Sequence, residues 1–530
     1  MNGISILDCT LRDGGYINNW DFGKTAVGEI IDLLNESNVD IIECGFLRDE
    51  MYDSNRSVFG SVEDITPLIT PKKEGITYVA MIALGDIDTS KISNRDKSSI
   101  DGIRLTFHKG DWEEEKQAAI ELMKKGYDVF IQPVGTATYS DDEFLELIDK
   151  VNEVQPYAFY LVDTLGTMYK KDLSRMFFMA DNNLNPDIVV GFHSHNNLQL
   201  SFSNAQELMS FNTKRHIIVD SSVSGMGRGA GNLPTELITQ YVNENLAVKY
   251  KVMPLLSIID RYLDPIYKKT PWGYSTPYYL ASIYDCHPNY ANNLMQKEKL
   301  SVEEIGKLLN MIPSEERSLY NSKLIETLYI NYQNNQIDDT AAIETIKGII
   351  NGENVLILGP GKTIRTHIDK VNSFIENNKP YIISVNFIPN EYKSDIIFIS
   401  NSKRMSQIEN IDLKGRTLLL TSNVPSSNNS LNLNYSSLLG EGRDPDDAGM
   451  MLMRLLRKVG VRTVYLAGFD GYDVNSSTHI FTDSYVGVRD YQERIVKNQD
   501  MEEQLSDMSS KINIVFITPT NYSVKGAGYE

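Results

Sequence analysis

Residues 158–197 read AFYLVDTLGTMYKKDLSRMFFMADNNLNPDIVVGFHSHNN. A short apolar run closes on Asp163, a polar helix-compatible stretch follows, and a second apolar run closes on His193. The same beat runs through the first 245 residues. Its other strand candidates are ISILDC, DIIECG, ITYVAMI, DGIRLTF, YDVFIQP and HIIVDSS. Eight strands alternating with helices over roughly 250 residues predict a (β/α)8 barrel for residues 1–245, with a doubly wound open sheet as the alternative. Barrel chemistry sits at the carboxyl ends of the strands. Those ends carry Asp8 to Asp13, Glu43, Arg104 with His108, Gln132, Asp163, His193 with His195, and Asp220 with Ser221.

The chain has 530 residues, too many for one hydrophobic core, so two to four domains are expected. A net charge of -20 disfavours nucleic acid and anionic lipid as partners. No apolar run reaches the roughly 18 residues that span a bilayer, and the N-terminus lacks the basic and apolar pattern of a signal peptide. Three scattered cysteines form no disulfide framework. Together these features predict a soluble cytoplasmic protein without a membrane partner. Residues 246–345 lose the strand pattern and read as a helical extension. From residue 346 onward, VLILGPGKT, YIISVNF, DIIFIS, RTLLLTS, VYLAGFDGY and INIVFITP restart the alternation, which predicts a Rossmann-like α/β domain over 346–530. The polar stretch 422–447 inside it reads as a mobile loop. No internal repeat is evident.

His193 and His195 stand two residues apart, so in an extended strand both imidazoles face one way and can reach one metal. As an isolated pair they are equally well read as exposed loop histidines. Their place at a strand's carboxyl end, with an Asp at the end of the first strand, favours a catalytic site with open positions. Mixed nitrogen and oxygen ligands suit Mn²⁺, Fe²⁺, Co²⁺ or Zn²⁺, and Mg²⁺ less well. Arg12 beside Asp13 can stabilise negative charge or orient a carboxylate, although a surface ion pair in a turn is the simpler reading of that dipeptide alone. SGMGRGAGNLPTE (224–236) follows the eighth strand. Its four glycines allow close backbone approach to a ligand, and Arg228 and Asn232 are its polar side chains.

LDCTLRDGGY, IIECGF, YLVDTLGTM, GFHSHNNLQLSFSNA and SGMGRGAGNLPTE, in this order, resemble the metal-dependent 4-hydroxy-2-oxovalerate aldolases. These belong with the metallolyases that include hydroxymethylglutaryl-CoA lyase and isopropylmalate synthase. The resemblance spans residues 3 to about 290. It implies that Asp13, His193 and His195 bind a divalent metal, with Mn²⁺ expected and Mg²⁺, Co²⁺ or Zn²⁺ as alternatives. Asn232 supports or joins that shell, Arg12 stabilises an enolate, and Asp163 lies on the sixth-strand motif. Glu43, Arg104, Asp163 and Arg228 are the expected substrate contacts. The implied reaction forms or cleaves a C–C bond of a 4-hydroxy-2-oxo acid, with a 2-oxo acid and an aldehyde as partners.

One departure bears on the base. The aldolases carry a histidine three residues after the motif's Asp, where this chain has Tyr16. Tyr16 can donate a hydrogen bond to the alkoxide, with His108 or His287 as the base. GYSTPYYLASIYDCHPNYANNL (273–294) resembles the helical segment that closes the family's active site, and Tyr278 matches its substrate-facing tyrosine. VLILGPGKT, IISVN, SDIIFISNSKR and VYLAGFDGY resemble a Rossmann-like group that includes pterin diphosphokinase-like domains and bacterial sialyltransferases. This implies a nucleotide or nucleotide-sugar near Gly359, Gly361, Asn386, Asn401 and Asp470; turn residues and strand-end caps are the plainer reading of each. The pairing of domains suggests cell-surface carbohydrate biosynthesis by a homo-oligomer. An acyl-CoA-dependent Claisen synthase on the same barrel and a nucleotide-sugar-dependent glycosyltransferase are the alternatives.

Overall fold

The computed structural model describes residues 3–297, 299–350, 354–408, 415–425, 430–441, 444–472 and 491–530. They divide into two compact units, the first comprising 1–291 with 314–320 and the second 292–313 with 321–530. Residues 246–345, expected as one extension, are shared between the two.

In the first unit eight strands run parallel: β1 (Ile4–Asp8), β2 (Ile41–Leu47), β3 (Thr77–Ala83), β4 (Gly102–Phe107), β5 (Asp128–Pro133), β6 (Ala158–Asp163), β7 (Val189–Ser194) and β8 (Ile217–Ser221). Each pairs with the next, and β1 pairs with both β2 (Leu7 opposite Ile41) and β8 (Ile4 opposite Ile217), which closes the barrel. Every apolar run read as a strand is one. Both faces of these strands are buried, so the runs are nearly continuous in hydrophobicity. Leu7, Val79, Phe130, Tyr160 and Ile218 fill the interior, whereas Ile6, Ile42, Ile103, Leu161 and Val219, at the alternate positions, pack outward against the helices.

The helices follow from local chemistry. Asp141–Val154 begins at a capping box in which Ser140 and Glu143 satisfy each other's backbone amides. Its buried face is Phe144, Leu147, Ile148, Val151 and Val154, at helical spacing. Helix Lys170–Asn183 ends against the buried Arg215, which precedes β8. The Arg215 guanidinium donates to the carbonyls of Asp181, Leu184, Asn185 and Ile188 over 2.6–3.1 Å and to the Asp181 carboxylate at 3.0 Å. One planar fork thus satisfies the carbonyls that the helix end and the following loop leave unpaired.

The second unit carries a parallel sheet of β9 (Val355–Leu358), β10 (Tyr381–Val385), β11 (Ile396–Ile399), β12 (Thr417–Thr421), β13 (Ser430–Leu433), β14 (Thr463–Ala467), β15 (Asn513–Phe516) and β16 (Gly528–Tyr529). The spatial order is β13-β12-β11-β10-β9-β14-β15-β16, so the winding reverses at β9, as in Rossmann-type sheets. Part of the stretch expected as a mobile loop is ordered. Ser430–Leu433 pairs with β12 and Tyr435–Leu438 forms a 3-10 turn, because a polar segment can serve as an edge strand where one face stays wet. Residues 426–429 and 442–443 of that stretch lie outside the described residues. The helical segments 292–313 and 321–345 belong with this sheet through a buried charge cluster. Lys299 Nζ lies 2.6 Å from both Asp444 Oδ1 and Asp446 Oδ1, and Tyr329 and Tyr435 donate to Asp446 Oδ2 at 2.5 and 2.8 Å. Among the described residues no helix is long and apolar enough to cross a membrane.

Replacing Arg215 by Met removes the fork while keeping most of its volume, and leaves the Asp181 carboxylate and four carbonyls without their donor. The expected loss is about 3–5 kcal/mol, read as a lowered first transition in scanning calorimetry. Arg215→Lys, a point charge without the fork, should recover less than half of it.

Candidate metal centre

The barrel brings Asp13, His193 and His195 together at its carboxyl face, each offering one ligand atom within 4.8 Å of the others. Asp13 sits in the turn after β1, where the amides of Arg12 and Asp13 both donate to the Cys9 carbonyl and wind the chain back over the barrel mouth. His193 lies on β7 and His195 just beyond it, in a bridge with Asn232. The imidazole centroids are 5.3 Å apart with their planes at 87°.

Each donor is fixed from behind. His193 Nδ1 lies 3.0 Å from Asp220 Oδ2. An ionised carboxylate can only accept, so Nδ1 carries the hydrogen and Nε2 keeps its lone pair for the centre. Burial raises the cost of ionising Asp13, but Arg12 and the two histidines outweigh it and hold the carboxyl well below the usual range. Its Oδ1 accepts from Arg12 Nη1 at 2.7 Å and its Oδ2 from Asn232 Nδ2 at 2.6 Å. Burial pushes His195 down to about 4, with the neighbouring His193 and Arg228 adding to the effect, so it is neutral at pH 7.

Two buried atoms in this cluster have no hydrogen-bond partner, Asn232 Oδ1 and His195 Nδ1. An orphaned buried acceptor beside an ionised carboxylate and two imidazoles is what a cation would satisfy. Asp13, His193, His195 and Asn232 therefore fit a divalent ion. Gly227 is required nearby, because a Cβ there would lie 2.7 Å from Asp13 Oδ2 and 2.4 Å from Asn232 Nδ2.

A ring of alternating charge lies behind the ligands. Arg12 Nε donates to Glu43 Oε2 at 2.8 Å, Arg104 Nη1 pairs with Glu43 Oε1 at 2.8 Å, and Arg104 Nη2 donates to Asp220 Oδ2. Glu43 and Arg104, expected to touch substrate, are instead buried and paired inside the barrel. Asp163 also serves the protein: its oxygens accept from the amides of Thr167 and Met168 at 2.9 and 3.0 Å, and burial raises its pKa to about 6. His108 is exposed just past the end of β4. Tyr278 is half-buried on helix Thr276–Ile283. Tyr16 and His287 both neighbour Arg228. The Arg228 guanidinium lies 4.0 Å from the Tyr16 ring, and burial with help from Arg228 pushes His287 down to about 4.

Three positions outside the expected set complete the site. Asp220 orients His193. Trp20 Nε1 donates to the Arg12 carbonyl at 2.8 Å. Asn197 pins the glycine loop, its Oδ1 accepting from Ala230 N at 3.0 Å. Asp220 carried a legible signal as the polar end of β8; the other two did not.

A closed parallel barrel with an Asp–His–His–Asn donor set beside a buried arginine defines a barrel with a candidate metal site. Residues 3–259 match the HMGL-like family, and the N-terminal half of the chain is an HMGL-like domain. The chain is 24% identical over 261 residues to the 4-hydroxy-2-oxovalerate aldolase of Pseudoalteromonas translucida (strain TAC 125), covering 47% of this chain and 74% of that one. It is 25% identical over 241 residues to the oxaloacetate decarboxylase of Mycobacterium tuberculosis (strain ATCC 25618 / H37Rv), covering 44% and 68%. The HMG-CoA lyase structure from Brucella melitensis superposes with a TM-score of 0.38 at 13% identity, over 49% of this chain and 96% of that one.

Asp220→Asn keeps the size of the residue but removes the charge that holds His193 in its tautomer. Affinity for Mn²⁺, measured by calorimetry, should fall about 10- to 100-fold, with the fold intact by circular dichroism.

Proposed function

We propose that the barrel is a divalent-metal-dependent aldolase that forms or cleaves the C–C bond of a 4-hydroxy-2-oxo acid through a pyruvate-type enolate. The Asp13–His193–His195 cluster, with the orphaned Asn232 Oδ1 and Arg12 beside it, carries this reading. The relatives support it chemically: cleaving 4-hydroxy-2-oxovalerate and decarboxylating oxaloacetate each break the bond between the third and fourth carbons of a 2-oxo acid and leave the same enolate. A bound divalent ion would act as a Lewis acid toward the oxygens of the 2-oxo acid. Arg12 gives Nη1 to Asp13 and Nε to Glu43, and its remaining Nη2 is left to donate to the oxygen where enolate charge develops. Tyr16 donates to the 4-hydroxyl oxygen in the cleavage direction, and His287, whose Nδ1 accepts from the Asn289 amide at 3.2 Å, must release that contact to take the proton. Mn²⁺ is the ion we expect.

Manganese-loaded protein should exchange the C3 hydrogens of pyruvate for deuterium and yield a new 4-hydroxy-2-oxo acid, seen by mass spectrometry, when an aldehyde is added. Arg12→Lys should keep the metal and lose about 10²-fold or more of the exchange rate. Free thiol released from acetyl-CoA, with no exchange into pyruvate, would point to the Claisen synthase instead.

For the second unit we propose nucleotide binding. A cavity of about 550 Å³ lies at the carboxyl ends of β9, β10 and β14, where the winding reverses, and is lined by Gly359, Gly361, Asn386 and Asp470 among others. The anion contact differs from the expected one. The Gly359 and Gly361 amides already donate to the carbonyls of Ala467 and Gly468 at 2.8 and 2.9 Å. A Cβ on Gly361 would sit 2.3 Å from Asp470 Oδ1, so this glycine serves a close chain-to-chain approach. Asp470 accepts from the Thr363 amide, Asn386 Oδ1 from the Ser400 amide, and Asn401 Oδ1 from the Arg404 amide, which caps the next helix. The first turn of helix Ala448–Lys458 lines the same cavity through Ala448 and Gly449, and its Met450 amide is given to the Asp447 carboxylate at 3.0 Å. Calorimetry with cytidine, uridine, adenosine and guanosine nucleotides should find one that binds the full-length protein. Heat from none of them would end this reading and, with it, the glycosyltransferase alternative and the link to carbohydrate synthesis.

A further inference from the structure

Among the arginines placed around the metal centre, Arg228 alone has no acidic partner. Arg12 is held by Asp13 and Glu43, and Arg104 by Glu43 and Asp220. The acids are matched in turn: Asp220 also holds His193, Asp163 is held by two amides, and Asp8 accepts from Thr235 Oγ1 at 2.6 Å and from the Thr10 amide at 3.0 Å. Arg228 makes no ion pair or side-chain hydrogen bond among the described residues. Its one named contact is the Tyr16 ring.

The position of this cation is built in. The Arg228 carbonyl accepts from Gly231 N at 3.1 Å, Asn232 N donates to Gly225 O at 2.9 Å, and Asn196 N to Gly231 O at 2.8 Å. With Ala230 held by Asn197, the loop backbone is tied down on both sides of Arg228. A half-buried guanidinium fixed over an aromatic face keeps its full charge, since a cation–π contact of about 0.5–2 kcal/mol orients it without neutralising it. The groups around it, Tyr16, His195 and His287, include no carboxylate. The result is a positive charge with no acidic partner, next to Tyr16 and close enough to act on His195.

We propose that Arg228 forms an anion subsite for the acceptor half of the substrate, so that the aldehyde, and hence the 4-hydroxy-2-oxo acid, carries a second negative group, a carboxylate or a phosphate. The inference rests on the aldolase reading for the reaction but not for binding. The metal centre takes one end of a 2-oxo acid, and Arg228 takes the anion at the other. A neutral acceptor such as acetaldehyde leaves the subsite unfilled.

Calorimetry on the manganese-loaded full chain tests this without turnover. Its probes are 2-oxopentanoate and 2-oxoglutarate, which share a five-carbon chain and differ by the distal carboxylate, and a six-carbon 2-oxo acid ending in a phosphate monoester. A charge-assisted contact should make at least one dianion bind about tenfold or more tighter than 2-oxopentanoate. Which dianion gains identifies carboxylate or phosphate as the group. In Arg228→Met that ratio should collapse toward one, and in Arg228→Lys part of it should remain. Equal affinities in the wild type overturn the proposal whether or not any variant folds. A ratio that survives in Arg228→Met does so too, because Arg228 would then act on the 2-oxo acid end or serve structure alone. Turnover forms a separate arm: pyruvate with acetaldehyde, glyoxylate, succinic semialdehyde or glyceraldehyde 3-phosphate. Product with none of these counts against the aldolase reading and leaves the binding ratio standing.

Discussion

Two residues of the candidate metal centre are joined by an unbroken alternation of charge. Asp13 meets Arg12, Arg12 meets Glu43, Glu43 meets Arg104, Arg104 meets Asp220, and Asp220 meets His193. These residues come from the ends or interiors of β1, β2, β4, β7 and β8, so one electrostatic circuit crosses the barrel and fixes the centre from below. Buried ions are costly to desolvate, and each is tolerated only because its neighbour has the opposite sign and the right reach. The removal of any member leaves a buried charge unmatched. The circuit thus makes the site rigid before a metal or substrate arrives.

This arrangement explains which residues remain for chemistry. Arg12 faces two acids and still keeps Nη2, whereas Arg104 is enclosed on every side. The same residue type serves as a substrate contact in one place and as a strut in the other. The difference is depth. Arg104 and Glu43 are each the third residue of their strands, while His193 is the fifth of six in β7. At about 3.3 Å per residue, that offset puts the Arg104–Glu43 pair below the ligands.

Much of the barrel was legible because its signals are local. Every strand run alternates with a helix, both strand faces are buried, and His193, His195 and Asp13 sit at ends that the fold must bring together. Depth along a strand was not legible, so Glu43 and Arg104 read as substrate contacts when strand-end position alone was used. The glycines of the second unit misled differently. GPG after an apolar strand reads as room for a phosphate, yet Gly359 and Gly361 use that room to bring their backbone onto the carbonyls of Ala467 and Gly468. A missing Cβ signals close approach without naming what approaches. In the barrel Gly227 makes way for a ligand shell, and in the second unit Gly361 makes way for the chain itself.

Charge matching is therefore the more discriminating guide to function in this molecule. Lys299 in the second unit is buried with Asp444 and Asp446 on it, and burial opposes its charge less than those acids favour it. It reads as structural for the same reason that Arg104 does. At the metal centre Asn232 Oδ1 is an acceptor with no donor and Arg228 a cation with no anion. Both sit beside the only cluster of metal-type donors among the described residues. Beside a cluster whose other charges are matched, such groups stay open where something from outside completes them: a cation at Asn232, and an anion at Arg228.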